Sequence, residues 1–374
     1  MQQLDQKNAS VLFEQSIKSD ATRKMYIFYL KRYLDFLDGQ DAFCENDARA
    51  IESKIIEYMI SMKQGPGPGQ GQKSHFAIRN HISAVLAFYK INDIVLNINK
   101  IKRFIPSKKK ANRDRAYTHE EIHSMLDIAD ERMRVVLLLL ASCGCRVGAI
   151  PLLRLRNLTK VNLVLLSGHE YPHIYKITIY ENDEEEYYTF CTPECVKAID
   201  DYLEMRKRYG EKLNQDSFLI REQFDIRDPF AIRNARTTPM KRISITHKMR
   251  DLAIRAGLRY PEEIDNNKPA GSLRKEVPIA HGFRKFFTTQ LIEADLKTEL
   301  RWLLEGHKLK ANDSNYVRTT EKRLQQEYEK AINDLTINEE NRLKMKVQKL
   351  EIEKSQLELL TQDVAMLKRK MKKK

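Results

Sequence analysis

Five side chains, far apart in sequence, are of types suited to attack on an anionic ester. Arg146 stands in SCGCRVGAI, and His281 and Arg284 lie three apart in HGFRKFF, on one face of any helix formed there. His307 follows a glycine in LLEGHK, and Tyr316 comes nine residues later in DSNYVR. Two guanidiniums can grip non-bridging oxygens and offset charge that builds on them in a transition state. Lysine would bring the charge without the planar fork. A phenol, with a pKa near ~10, is a poor nucleophile until its proton is removed. His281 is placed to accept that proton, and His307 to donate to a phosphate oxygen. Each residue alone has a plainer use as surface charge, structural pair or core aromatic. Their order within one basic chain is what makes them specific.

Helices must position these groups. ATRKMYIFYLKRYLDFL sets Tyr26, Tyr29, Leu30, Tyr33, Leu34 and Leu37 on one apolar face, and IESKIIEYMISM and AIRNHISAVLAFYKI repeat the pattern around a GPGPGQGQ loop. Residues 1–104 therefore read as a helical domain. Residues 105–117 read as a linker in which Lys108, Lys109, Lys110, Arg113 and Arg115 face a single acid, Asp114, and contact phosphates. Residues 118–337 form a second domain. Thr118 with Glu120 and Glu121 opens a helix, and a buried helix ends near Gly144. Ile177 and Ile179 alternate with Lys176, Thr178 and Tyr180 before an acidic turn, as in a hairpin. Thr192-Pro193-Glu194 starts a helix through Tyr202, and further helices fill 244–257, 282–294 and 297–304. RNARTTPMKRISITHKMRDLAIR adds a second basic patch, with Lys241 and Arg242 as phosphate contacts. The expected fold class is mainly α with a small antiparallel β-sheet. Residues 338–374 form a basic helical tail. Leu343, Leu350, Leu357, Val364 and Met371 recur there every seven residues, a partial coiled-coil seam that Leu360 and Leu367 extend and that Lys346 and Glu353 interrupt.

Lys and Arg total 66 against 52 Asp and Glu in 374 residues, a formal charge of +14. That excess favours a polyanionic partner, nucleic acid before an anionic membrane surface. No apolar run approaches the ~18 residues of a membrane span. Met1 to Phe13 has no basic start followed by an apolar stretch, so no secretory signal is visible. Five cysteines are too few for a disulfide scaffold and point to a reducing cytoplasm.

The order Arg146, His281-x-x-Arg284, Gly306-His307, Tyr316 resembles the signature of the tyrosine recombinase, or phage-type integrase, family over about residues 10–337. AHGFRKFF, LEGH and EYEKAINDLTINEENRL are most similar in wording to archaeal integrases. The resemblance implies a SAM-like core-binding domain joined to a DNA breaking-and-rejoining catalytic domain. It implies that Tyr316 attacks a strand, leaving a 3′-phosphotyrosyl link and a 5′-hydroxyl. That link keeps the energy of the broken bond, so no metal, ATP or other cofactor is expected. The absence of a GxxxxGK[ST] loop agrees with this. The implied partners are double-stranded DNA attachment sites and further copies of the chain, four in the active synapse, with no membrane. The implied setting is cytoplasmic and nucleoid-associated, and the implied role is integration or excision of a mobile element. The chain departs from the family twice. The hairpin turn ENDEEE lacks the general-acid lysine of many relatives, leaving Lys176 on the preceding strand as the nearest candidate. Ala149 stands where relatives often carry an acid three residues after the first arginine.

Other readings compete. Tyr328 is a rival nucleophile, though its helical setting suits a packed core residue. His169, His173, Cys191 and Cys195 could hold zinc, but Pro172 breaks any helical histidine pair and Thr192-Pro193-Glu194 explains the cysteine segment as a helix start, so no metal site is expected. Cys143 and Cys145 have packing as their expected role, because their spacing is not that of dithiol enzymes. An architectural DNA-binding protein descended from a recombinase and a type IB topoisomerase-like relaxing enzyme are the functional alternatives.

Overall fold

Short polar side chains start most helices of this computed structural model, which describes residues 6–39, 42, 47–65, 72–108, 114–163, 173–224, 237–259, 277–307 and 319–371. Asp47, Ser74, Asn97, Thr118, Asp130, Thr192 and Thr320 each accept a hydrogen bond from a backbone N–H of the first turn. Thr118 and Glu121 cap each other reciprocally. The described residues divide into two compact units, one up to Lys108 and one from Asp114.

The first unit holds α1 (Gln6–Ser16), α2 (Asp20–Phe36), α3 (Ala48–Gln64), α4 (His75–Ile91) and the short α5 (Ile98–Lys102). Leu30, Tyr33 and Leu37 are buried from the periodic face of α2 and its end. Ile51, Ile55 and Met59 of α3 join Ile82, Val85 and Phe88 of α4 in the same core. Its buried tyrosine hydroxyls are paired. The Tyr33 and Tyr89 hydroxyls are 3.1 Å apart, and the Tyr58 hydroxyl lies 2.8 Å from His81 Nδ1.

The second unit begins with α6 (His119–Asp127) and α7 (Glu131–Cys143). Every residue of α7 from Val135 to Cys143 is buried, so this helix is the axis of the unit. Three antiparallel strands follow in the order β1 (Leu158–Asn162), β2 (His173–Ile179), β3 (Tyr187–Phe190). Leu158 pairs with Ile177, and Ile177 with Thr189. The hairpin of β2 and β3 matches the alternation in the sequence. β1 is an addition to it, because as an edge strand it leaves three of its five residues exposed and carries little periodic signal. α8 (Pro193–Arg208) runs beyond Tyr202 because Arg206 continues its buried face. Arg206 is fully buried, and its guanidinium grips the Glu211 carboxylate at 2.6 and 2.9 Å, while Arg221 reaches the same group at 2.9 Å. Next come α9 (Arg242–Arg255), α10 (His281–Glu293), α11 (Thr298–Leu304) and α12 (Glu321–Leu335).

The final helix, α13 (Glu339–Met371), is tied down at its start alone among the described residues. Met345 is buried, Arg342 donates to the Thr336 and Ile337 carbonyls, and the Glu194 carboxylate accepts from the Ile337 and Asn338 N–H groups. Leu343, Leu350, Leu357, Leu360 and Val364 are exposed; the side chains of Leu367 and Met371 lie outside the described residues. No described helix is long and apolar enough to cross a membrane.

Candidate functional site

Gly144 ends α7 in the left-handed conformation at φ 59°, and its N–H bonds to the Leu140 carbonyl. A Cβ there would stand 2.1 Å from the Phe287 ring, so glycine lets α7 and α10 meet. The turn then releases Arg146 to a half-exposed position where its Nη1 is 3.6 Å from Glu185 in the β2–β3 turn. It also presents the Gly144 carbonyl to Arg284, which donates to it at 2.6 Å. One turn thus places one arginine and anchors the other.

Arg284 is 8% exposed. Its Nη2 donates to the Glu305 carbonyl at 2.6 Å and to His307 Nε2 at 3.0 Å. A guanidinium has no acceptor, so Nε2 of His307 must be the acceptor here. The other ring nitrogen, Nδ1, is 3.1 Å from Glu305 Oε2. Gly306, at φ 66°, turns the chain between these two residues, and a Cβ on it would meet the Tyr187 ring at 2.3 Å. His281 is the first residue of α10 and is exposed, one turn before Arg284. Partial desolvation of the ring, then Lys285 and Arg284 nearby, holds its pKa below the usual histidine value. His307 is lowered by burial as well, with Glu305 pulling upward and Arg284, Arg146 and Arg301 pulling downward. Both imidazoles are therefore disposed to be neutral, able to accept a proton.

Arg242 opens α9 with its Cδ 3.8 Å from where a Cβ on Gly148 would sit, two residues beyond Arg146. Tyr180 reaches the same place, its hydroxyl 4.0 Å from that point, from a backbone at φ 56°. Such a conformation is strained for a tyrosine and marks a constrained position. Lys176 lies elsewhere on β2. Its Nζ pairs with Glu321 Oε2 at 2.8 Å, at the start of α12, and sits 5.6 Å from the Tyr188 ring centre. Lys108 is exposed, 5.5 Å above the Phe76 ring. Lys241 precedes α9 and is exposed. Arg115 clasps Glu121 at 2.6 and 2.8 Å. Tyr316, Lys109, Lys110 and Arg113 lie outside the described residues.

Tyr328 is a core residue. It is fully buried, its hydroxyl donates to the Ser142 carbonyl at 2.9 Å, and burial pushes its pKa far up. Cys143, Cys145, Cys191 and Cys195 are buried free thiols, the first and last raised by burial and then by the neighbouring Cys191. No described group of three or more His, Cys, Asp or Glu could hold a metal ion; His169 lies outside the described residues. Ala149 is buried and brings no carboxylate near Arg146. The buried carboxylate beside His307, Glu305, is the residue that sequence reasoning misses. Its signal is an acid within LLEGH, directly before the glycine, which resembles any helix-end acid until its burial is known.

The architecture around this cluster is that of DNA strand-breaking and rejoining enzymes of the tyrosine type. The chain superposes on the XerH site-specific recombinase bound to palindromic difH substrate with a TM-score of 0.53 at 15% identity, covering 81% of this chain and 78% of that one. It superposes on the Tn1549 transposon integrase in complex with circular intermediate DNA with a TM-score of 0.51 at 16% identity, covering 84% and 96%. At such identity these likenesses speak for the fold. No curated protein matches the chain by sequence. The Phage integrase family model matches residues 115–323, more than half of the sequence. The chain belongs to the phage integrase family. It is accordingly a site-specific tyrosine recombinase, and the cluster of Arg146, Arg284 and His307 lies inside the matched span.

Proposed function

We propose that the protein cuts and reseals double-stranded DNA attachment sites through Tyr316, integrating or excising a mobile element. Arg146 and Arg284 grip the scissile phosphate, His281 takes the phenolic proton, and His307 hydrogen-bonds a non-bridging oxygen. The product is a 3′-phosphotyrosyl link and a free 5′-hydroxyl, which later attacks that link to reseal a strand. Lys176 is our candidate for the proton delivered to the leaving 5′-oxygen. In its favour, it is held by Glu321, five residues beyond Tyr316 in sequence. A 5′-thio leaving group needs no proton, so it should rescue Lys176→Ala; an unrescued defect would remove the lysine from that role.

The observation that carries this reading is the convergence of Arg284, His307 and the turn bearing Arg146 around two short hydrogen bonds. A buried guanidinium held by carbonyls and an imidazole, with no carboxylate directly against it among its described hydrogen-bond partners, keeps its charge available for an incoming phosphate. Lys108, Lys241 and Arg242, with Lys109, Lys110, Arg113 and Arg115, contact flanking phosphates; Arg115 must leave Glu121 to do so. The protein acts on the duplex as a homo-oligomer, a tetramer in the active synapse, in the nucleoid. The named neighbours were solved on DNA, which suits these assignments. The test is covalent trapping. Wild type and Tyr316→Phe are mixed with fragmented source DNA and quenched with detergent, and protein-linked ends are sequenced. Adducts from wild type alone, at a recurring sequence, are expected. Adducts from both would assign the nucleophile elsewhere.

A further inference from the structure

An acid in the loop after a helix is ordinarily solvated, yet Glu305 is 3% exposed. Burying a carboxylate is costly unless its oxygens are satisfied. Here Oε1 accepts from Thr288 Oγ1 at 2.9 Å, and Oε2 faces His307 Nδ1 at 3.1 Å. The Glu305 carbonyl receives Arg284 Nη2 at 2.6 Å. Thr288 and Arg284 are one turn apart on α10, so Glu305 is fixed to that helix by both its side chain and its backbone. The tight turn at Gly306, packed under Tyr187, sets His307 directly after this anchored residue.

We infer that Glu305 is the positioning residue of the site: it accepts Nδ1–H of His307, fixing the tautomer whose Nε2 is turned toward Arg284 and toward the phosphate Arg284 binds. The inference rests on the reading of Arg284 and His307 as phosphate-binding groups. The ring geometry requires this tautomer, because Nε2 is already an acceptor from Arg284. For His307 to donate to a phosphate oxygen, a proton must arrive at Nε2 and make the imidazolium. The cations near enough to act on the ring are Arg284 from α10, Arg146 from the turn after α7 and Arg301 from α11, while Tyr187 of β3 packs against the adjoining Gly306. The three arginines oppose the imidazolium. Among the described residues, Glu305 is the one group facing the ring that favours it. Glu305 thus supplies both the orientation and the negative charge that lets the ring carry a proton beside three guanidiniums.

The experiment needs no DNA. Full-length protein carrying ¹⁵N-labelled histidine is titrated from pH 4 to 8.5, and long-range nitrogen–proton spectra report each tautomer and midpoint. His307→Gln assigns the signal. Glu305→Gln keeps the shape and removes the charge. The wild-type neutral ring should be protonated at Nδ1, and the midpoint should fall by about one unit or more in Glu305→Gln, the size expected for loss of an adjacent opposite charge. An equal midpoint in both proteins would overturn the inference. Should Glu305→Gln fail to fold, the wild-type spectrum still decides: a neutral His307 protonated at Nε2 rules out the proposed hold. Adduct formation by wild type tests the strand-cleavage reading separately.

Discussion

The rival tyrosine, Tyr328, is excluded by what its hydroxyl does. It is committed to the Ser142 carbonyl inside the core, and a phenol there has no route to a phosphate. Tyr328→Phe should therefore leave adduct formation intact and cost about 1 kcal/mol in urea unfolding, the usual net value of one buried hydrogen bond. Loss of adducts with unchanged stability would contradict this. Arg284 is a contrasting case. Its three contacts use the planar spread of the guanidinium, which lysine cannot reproduce. Arg284→Lys should reduce the rate of adduct formation by about 100-fold or more, as loss of a transition-state charge contact does; a rate within a few-fold of wild type would remove Arg284 from the phosphate. The reactive types at this scale are legible because Arg, His and Tyr in that order have few joint uses. Glu305 is not, because nothing local distinguishes a buried acid from a solvated one. Its role depends on Thr288 and Arg284 arriving from another helix.

At the level of elements, turns determine whether the groups meet. Gly306 combines φ 66° with a Tyr187 contact that leaves no room for a methyl group. Gly306→Ala should cost about 2–5 kcal/mol by strain and overpacking together, read as a lower urea midpoint. A change under about 0.5 kcal/mol would mean that Tyr187 yields freely. The first unit holds a separate pH response. His81 is buried against Tyr58, and its pKa is lowered to about 4, first by burial and then by Lys73 and Arg32. The unfolded chain takes up that proton below about 6.5 and the folded one only near 4, so stability falls as pH drops through this window and levels below it. The expected loss is about 2–3 kcal/mol, and His81→Gln should flatten that part of the profile; an unaltered slope would assign it to other groups. A helix with a strong apolar period, as in α2, or with a polar cap, as in α6, is readable directly. β1 is hidden because its partner strand, not its own pattern, makes it a strand. The tail shows a similar dependence on context. A cut after Leu335 would strip buried Ile337 and the two backbone bonds to Glu194, whereas a cut after Val347 keeps them and Met345. The shorter deletion is the one that tests what the exposed leucines of α13 do.

For the whole molecule, the formal charge of +14 governs any encounter with DNA at long range. Each phosphate neutralised by Lys or Arg releases condensed counterions, so binding weakens with a log–log salt slope of about −0.9 per contact. Linker and α9 cations acting together with Arg146 and Arg284 should give six or more contacts, and affinity for a random duplex should then fall by about 10³-fold or more between 50 and 200 mM salt. Arg242 is the informative residue, because it opens α9 beside Gly148 and so joins the basic patch to the turn bearing Arg146. Arg242→Ala should lower the slope by about one and weaken all sequences alike, as a phosphate contact does. Lys197→Ala provides the control, since its charge is paired with Asp201 one turn along α8; its slope should match wild type. If Arg242→Ala leaves the slope unchanged while Lys197→Ala also does, then the α9 patch lies off the DNA path, and the basic surface that steers the duplex must be sought on other faces of the chain. If both variants lower it equally, the slope reports net charge at long range and not contact with phosphate, and the phosphate assignments need a different test.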